Sequence, residues 1–265
     1  MASYKPVTAA LRVLDVLAAV NMANGRATVG ETHRLTGIDK ATIVRMLETL
    51  QHAGYVMRDE ANAVYQVTGK TLLLSNSYDR HSVVAALIAD ELTAFRREIG
   101  WPSDVAILDN DAMLVIKSSR EGAPITFSRP PGYRAPMLAT SLGLAYVAFC
   151  PQGERAEIFK RVAADPKATN ELIRSPEKLA AKIESVRRLG YATMDESYSR
   201  LMYEGKIYSI GVPIMFDERV FATMNVIYLL SALTPAQAEA RLLTPLQAVA
   251  DKMGRILASK NQALA

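Results

Sequence analysis

The first 75 residues constrain the fold most: three short helical patterns, broken at Gly37 and Gly54, and then a hairpin. The first pattern covers residues 7–20, with Ala10, Val13, Leu14, Leu17 and Val20 recurring at three and four, Thr8 as N-cap and Asn24-Gly25 as the stop. The second covers residues 28–36. Thr28 with Glu31 three positions on reads as a capping box, and Gly37 suits the left-handed position of a tight turn. The third opens at the N-cap Asp39 and runs to about residue 52, with Ile43, Met46, Leu47 and Leu50 on one face. Residues 55–58 and 64–67 then flank Asp59-Glu60-Ala61-Asn62 as a short β-hairpin.

Three helices and a hairpin, with a short turn between the second and third helices, follow the plan of a winged helix-turn-helix. In such a unit the third helix enters the major groove while the second crosses the backbone. Its outward face offers Lys40, Thr42, Arg45 and Thr49, with Ala41 small enough for close approach. Lys and Arg address guanine edges or phosphates, and Thr meets a phosphate or a thymine methyl. Arg58 on the hairpin is placed for a phosphate, and Thr28 and Arg34 on the second helix complete the expected DNA-contacting set. An ordinary three-helix subdomain with solvated Lys and Arg is the competing reading, because a shared plan alone does not carry function.

Charge does not decide between them. The net charge is +4, and residues 1–75, with 8 Lys/Arg and 6 acids, carry only +2 of it. Half of the residues are hydrophobic, which excludes a disordered chain. No stretch approaches the ~18–20 apolar residues of a membrane span, and the first six residues lack a signal-peptide pattern, so the cytoplasm is expected and no membrane partner. A single cysteine, Cys150, excludes an internal disulfide or a cysteine-built zinc cage, and three histidines leave little for a metal site.

Residues 73–100 read as one long helix, with Val84, Leu87, Ile88, Leu92, Phe95 and Ile99 at helical spacing. It serves either as a linker whose stripe pairs with a second copy or as a helix packed on its own domain. From Trp101 the texture becomes mixed. Residues 105–108 and 113–116 form a hairpin around Asp109-Asn110-Asp111, residues 125–127 a strand, and the Pro-rich residues 129–136 a loop. Residues 139–149 form an apolar helix, and Ser175-Pro176-Glu177 opens another that Gly190 stops. Two long strands, 207–216 and 220–229, precede a last helix from Thr234-Pro235 carrying Leu246, Val249, Met253 and Ile256. The expected organisation is α+β: a winged helix-turn-helix over 1–72, a linker helix over 73–100, and a mainly antiparallel domain with flanking helices over 101–265.

No catalytic motif stands up: there is no nucleophile elbow, no phosphate-binding loop and no dinucleotide fingerprint, and no cofactor is expected. Cys150 in an apolar helix reads as core. Asp195-Glu196 reads as a solvated loop rather than an acid–base pair. His33 reads as a surface or phosphate-side residue. A ligand pocket fits better. Thr140, Ser141 and Leu142 open a helix, whose free N–H groups and hydroxyls suit a small carboxylate, with Arg129 and Arg134 adding charge. Simple N-capping by Thr140 or Ser141 explains the same residues. Asn225, between Met224 and Val226, needs a partner on its apolar strand, either a ligand or a backbone group.

Taken together, Leu11-Arg12-Val13-Leu14-Asp15-Val16-Leu17, the segment Leu35-Thr36-Gly37-Ile38-Asp39-Lys40-Ala41-Thr42, Arg45-Met46-Leu47-Glu48-Thr49-Leu50, Gly54-Tyr55-Val56, Ala139-Thr140-Ser141-Leu142-Gly143, Gly190-Tyr191-Ala192 and Ser209-Ile210-Gly211-Val212-Pro213-Ile214 resemble the IclR family of bacterial transcription regulators along nearly the whole chain. Within it, Trp101-Pro102-Ser103-Asp104-Val105, Leu144 to Pro151 and Asn225-Val226-Ile227-Tyr228 look most similar to regulators of hydroxyphenylpropionate catabolism. The resemblance implies a winged helix-turn-helix, a linker helix and a GAF-like effector domain. It also implies homodimers or homotetramers on palindromic double-stranded operator DNA, dimerising largely through the DNA-binding domains. It places Lys40, Thr42 and Arg45 on the recognition helix, and Ser141, Leu142, Asp195, Ser209 and Asn225 near the effector pocket. The closer likeness implies a small aromatic, phenylpropanoid-type acid as effector and activation of an aromatic catabolic operon. Relatives often carry Arg-Thr-Thr where this chain has Lys40-Ala41-Thr42, Gly-Lys where it has Gly143-Leu144, and Ser where it has Asn225. A small-molecule enzyme with a dimerising N-terminal domain is the alternative from a different class.

Overall fold

A computed structural model describes residues 6–23, 25–74, 80–119, 132–164 and 171–262. The chain divides into two units, Met1–Asp79 and Arg80–Ala265.

The first unit holds α1 (Thr8–Met22), β1 (Arg26–Ala27), α2 (Val29–Thr36), α3 (Lys40–His52), β2 (Val56–Asp59) and β3 (Val64–Val67), followed by a 3₁₀ turn, Gly69–Leu74. The strands form an antiparallel sheet in the order β1-β3-β2, so the expected hairpin gains a third strand too short to show a period. Val16, Leu17 and Val20 of α1, Ile43, Leu47 and Leu50 of α3 and Tyr65 of β3 bury one core. Two details of α1 differ from the periodicity. The helix starts on Val7 without a side-chain cap, so Thr8 is its first residue, not its cap. Leu14 of the expected stripe is 60% exposed, and Val16 and Ala19 lie inside with Leu17 and Val20, which turns the buried face by roughly 75°.

The second unit is a six-stranded antiparallel sheet in the order β6-β5-β4-β9-β8-β7. The strands are β4 (Ser103–Asp109), β5 (Ala112–Ser118), β6 (Arg134–Pro136), β7 (Ala192–Thr193), β8 (Ile207–Phe216) and β9 (Arg219–Leu229). The helices α4 (Arg80–Ile99) and α9 (Pro235–Gln262) cover one face, so Ile88, Leu92 and Phe95 pack within their own domain. On the other face, α5 (Ser141–Phe149), α6 (Gln152–Ala164) and α7 (Pro176–Leu189) pack on Ala106, Met113 and Val115. The short α8 (Glu196–Tyr203) lies against Ala139, Ile207 and Ile227. Strand alternation sorts the two faces: Ile210, Val212 and Ile214 of β8 meet α9, while Gly211 lies under α5.

Residues 134–136 are a strand, not loop: β6 is an edge strand, where Pro136 lacks no ladder partner that a central strand would need. The α6 helix gave no signal because only Ile158 and Val162 are fully buried along its 13 residues, with Phe159 partly buried beside them. Asp195 is the N-cap of α8, not part of a loop. The expected strand over 125–127, the stop residue Asn24 and the Arg129 guanidinium lie outside the described residues.

Candidate DNA interface and effector site

The turn between α2 and α3 is built by local hydrogen bonds. Thr28 accepts from the Glu31 N–H at 3.1 Å while Glu31 accepts from the Thr28 N–H at 2.8 Å, closing the capping box. These bonds hold the Glu31 carboxyl below its ordinary range, the backbone bond from Thr28 first. Gly37 stands at φ 68°, where a side chain is strained, and stops α2. His33 Nδ1 lies 2.7 Å from the Ile38 carbonyl oxygen, so this ring ties the turn together rather than standing free for a phosphate. Asp39 then caps α3, accepting from the Thr42 N–H at 2.9 Å, and its carboxyl is lowered by Thr42, side chain first and backbone second.

This framework leaves Lys40, Ala41 and Arg45 exposed on α3 and Thr42 half-buried. Arg34 is exposed near the end of α2. Thr28 is held in the capping box. Arg58 on β2 lies 3.4 Å from Glu60 and stacks 5.9 Å from the Tyr65 ring, which aims it without removing it from solvent.

In the second unit, Thr140 caps α5, accepting from the Gly143 N–H at 3.2 Å, while its own hydroxyl donates to the Pro136 carbonyl at 2.9 Å. The N–H groups of Ser141 and Leu142 find no acceptor among the described residues, and both residues are fully buried. Buried N–H groups without a partner are rare. The Ser141 and Ser209 hydroxyls are 2.7 Å apart, a bond possible because Gly211 has no side chain: a Cβ there would stand 2.7 Å from the Ser141 carbonyl oxygen. The Asp195 N–H donates to the Ala139 carbonyl at 3.0 Å, fastening α8 beside the start of α5. Its carboxylate accepts from the Tyr198 N–H at 3.0 Å and from the Ser197 hydroxyl.

Asn225 accepts from the Asp104 N–H at 2.9 Å, the backbone partner its strand position called for. Its register neighbours are Asp104 on β4 and Gly211 on β8, and Asp104 pairs in turn with Ser118, whose hydroxyl donates to the Asp104 carboxylate at 2.8 Å. One row across four strands, Ser118–Asp104–Asn225–Gly211, therefore ends beneath Ser141. Thr223 Oγ1, two residues from Asn225, is buried without a hydrogen-bond partner among the described residues. Asp104, Ser118 and Thr223 had no sequence signal, because a polar residue inside a strand declares its burial only once both faces of the sheet are covered. The phenol groups of Tyr133 and Tyr198, 3.0 Å apart, bridge the segment before β6 to α8. Arg134 is not part of this site: it pairs with Asp109 and, at 2.5 Å, with Asp111 at the β4–β5 turn.

A winged helix-turn-helix with Lys40 and Arg45 exposed on α3, in one chain with an α+β domain, is the combination that a ligand-responsive transcription regulator needs. The family profile "Bacterial transcriptional regulator IclR C-terminal" matches residues 77–255, and "IclR helix-turn-helix domain" matches residues 9–60. The chain belongs to the IclR family, whose members bind DNA and a small-molecule effector. It is 28% identical over 241 residues to the Pca regulon regulatory protein of Pseudomonas putida, covering 89% of this chain and 79% of that one. It is 26% identical to the regulator XynR of Escherichia coli K12, covering 89% and 91%. Among solved structures, an IclR homolog from Microbacterium hydrocarbonoxydans complexed with 4-hydroxybenzoate has the same fold, with a TM-score of 0.63 at 18% identity over 95% of this chain and 99% of that one. No described helix is long and apolar enough to cross a membrane.

Proposed function

We propose that this regulator senses a small aromatic acid of the phenylpropanoid type and activates an aromatic catabolic operon from the cytoplasm as a homodimer or homotetramer. The observation that carries the effector reading is the pair of buried N–H groups of Ser141 and Leu142, without an acceptor among the described residues, beside the Ser141–Ser209 hydroxyl pair. Donors at a helix N-terminus, sealed from water, stabilise a carboxylate. Ala139 and Tyr198, which share one apolar cluster, supply contact for a ring, with Leu142 contributing from the neighbouring cluster, and Thr140, Asp195 and Asn225 hold the surrounding backbone in place. The 4-hydroxybenzoate bound by the Microbacterium homolog and the Pca regulon of the Pseudomonas relative support an aromatic ligand.

On the DNA side, Arg45 and Ala41 face base edges, while Lys40, Thr42, Arg34 and Arg58 hold phosphates. Thr28 acts through the cap that positions α2. Dimerisation runs through α1 and its cap, where Val7, Leu11 and Leu14 are 66%, 51% and 60% exposed at helical spacing. An acid that binds one DNA-competent form better than another shifts the population by that difference.

The test uses the purified full chain and the DNA upstream of its own coding sequence, titrated with a panel of aromatic acids. The expected result is a gel shift altered by hydroxyphenyl-substituted short-chain acids and a thermal shift by the same compounds. Ser141→Leu removes the response and keeps DNA binding. Turnover of an aromatic acid that Asp195→Ala abolishes and Arg45→Ala leaves intact would favour an enzyme instead.

A further inference from the structure

The buried residues of α3 fix its outward direction. Ile43, Met46, Leu47 and Leu50 face the core. At ~100° per residue, the opposite direction is occupied by Ala41, Arg45, Glu48 and His52, each within about 30° of it. All four are exposed. Lys40 and Thr42 lie roughly 90–110° to either side of that line, which suits phosphates flanking a groove. The centre of the reading face therefore carries a carboxylate. Glu48 makes no ion pair with any described residue, although Arg45 lies one turn away. It lines a groove of about 780 Å³ between α1 and α3 together with Arg12, Arg45, Thr49 and His52.

A carboxylate facing a polyanion is repelled by phosphates and gains only where it can accept a hydrogen bond. In the major groove, cytosine N4 offers that donor, and Glu accepts from it, whereas Arg donates to guanine O6 and N7. Arg45 and Glu48 are ~4.5 Å apart along the helix axis, close to the ~3.4 Å step between base pairs. We infer that Glu48 is a specificity-determining residue that reads a cytosine N4 amino group at the base pair next to the guanine addressed by Arg45, so that each operator half-site contains two adjacent G·C pairs. This rests on the reading of α3 as the recognition helix with Arg45 at base edges.

The test is selection from a random duplex pool with the full-length wild type, Glu48→Ala and Arg45→Ala, each first shown to melt as the wild type does. The expected wild-type motif has adjacent G·C pairs. Glu48→Ala loses about tenfold preference for cytosine at one of them and keeps the other, Arg45→Ala does the reverse, and Glu48→Gln binds random duplex several-fold more tightly. A Glu48→Ala motif identical to the wild-type motif, or a uniform loss on all sequences, overturns the inference while leaving the recognition helix in place. A wild type that enriches no motif overturns both.

Discussion

Gly211→Ala tests whether the site depends on the close approach of α5 to the sheet. A Cβ at position 211 stands 2.7 Å from the Ser141 carbonyl oxygen, 2.8 Å from its carbon and 3.0 Å from its Cβ. To regain an ordinary contact of ~3.5 Å, the start of α5 must rise by about 0.8 Å. That motion stretches the Ser141–Ser209 bond from 2.7 Å to about 3.5 Å, beyond useful range. Overpacking costs about 1–3 kcal/mol and the lost bond about 1 kcal/mol more. At roughly 2–4 °C per kcal/mol for a unit of this size, Tm of the C-terminal unit falls by about 5–15 °C. Calorimetry of the full chain, with and without a saturating aromatic acid, reads both effects. The expected variant melts early and loses the ligand-induced rise in Tm, while its DNA shift without ligand is unchanged. An unchanged Tm would refute the packing argument. A lower Tm with an intact ligand response would show that the contact supports the fold and not the site.

Arg45→Ala weakens operator binding by about 1–3 kcal/mol and relaxes one base position if the contact is to a base, measured by gel shift on operator variants; an equal loss on every sequence reassigns it to a phosphate. Thr28→Ala removes a cap worth ~1 kcal/mol, read as a lower midpoint for the N-terminal unit in denaturant, and a base-specific affinity loss would give Thr28 a direct DNA contact instead. Glu31 and Asp39 are lowered in the folded state, so their contribution is present above the ordinary carboxylate range and lost as pH falls through the lowered values. Amide protection factors in α2 and α3, taken relative to the intrinsic exchange rate at each pH, should therefore fall on acidification below about pH 4, with Asp39→Asn flattening that dependence. Burial, reinforced by the Glu154 charge, pushes the Cys150 thiol up to about 11. The native protein therefore resists alkylation at pH 8 and reacts once unfolded, and rapid native labelling would contradict its buried placement.

The sequence by itself determined the helix-turn-helix, because each part of it is short-range. The Thr28–Glu31 box, the left-handed Gly37 and the Asp39 cap each act within three or four residues, and the structure repeats them. The long strands β8 and β9 and the Pro-led start of α7 were legible for the same reason: run length and local stop signals suffice. The buried side of α1 was not legible. Leu14 and Val16 are both apolar, and only the placement of α3 and β3 chooses between them. The candidate effector site was half legible: helix-start chemistry picked out Thr140 and Ser141 at the start of α5, whereas the polar row of Asp104 and Ser118, with Thr223 beside it, emerged only from register. These residues lie far apart in the chain and meet because antiparallel pairing brings β5, β4, β9 and β8 side by side. A local pattern can specify a cap or a turn, since its partners are neighbours in sequence. Which polar groups are sealed from water is a property of two covered sheet faces, and only the tertiary structure decides it.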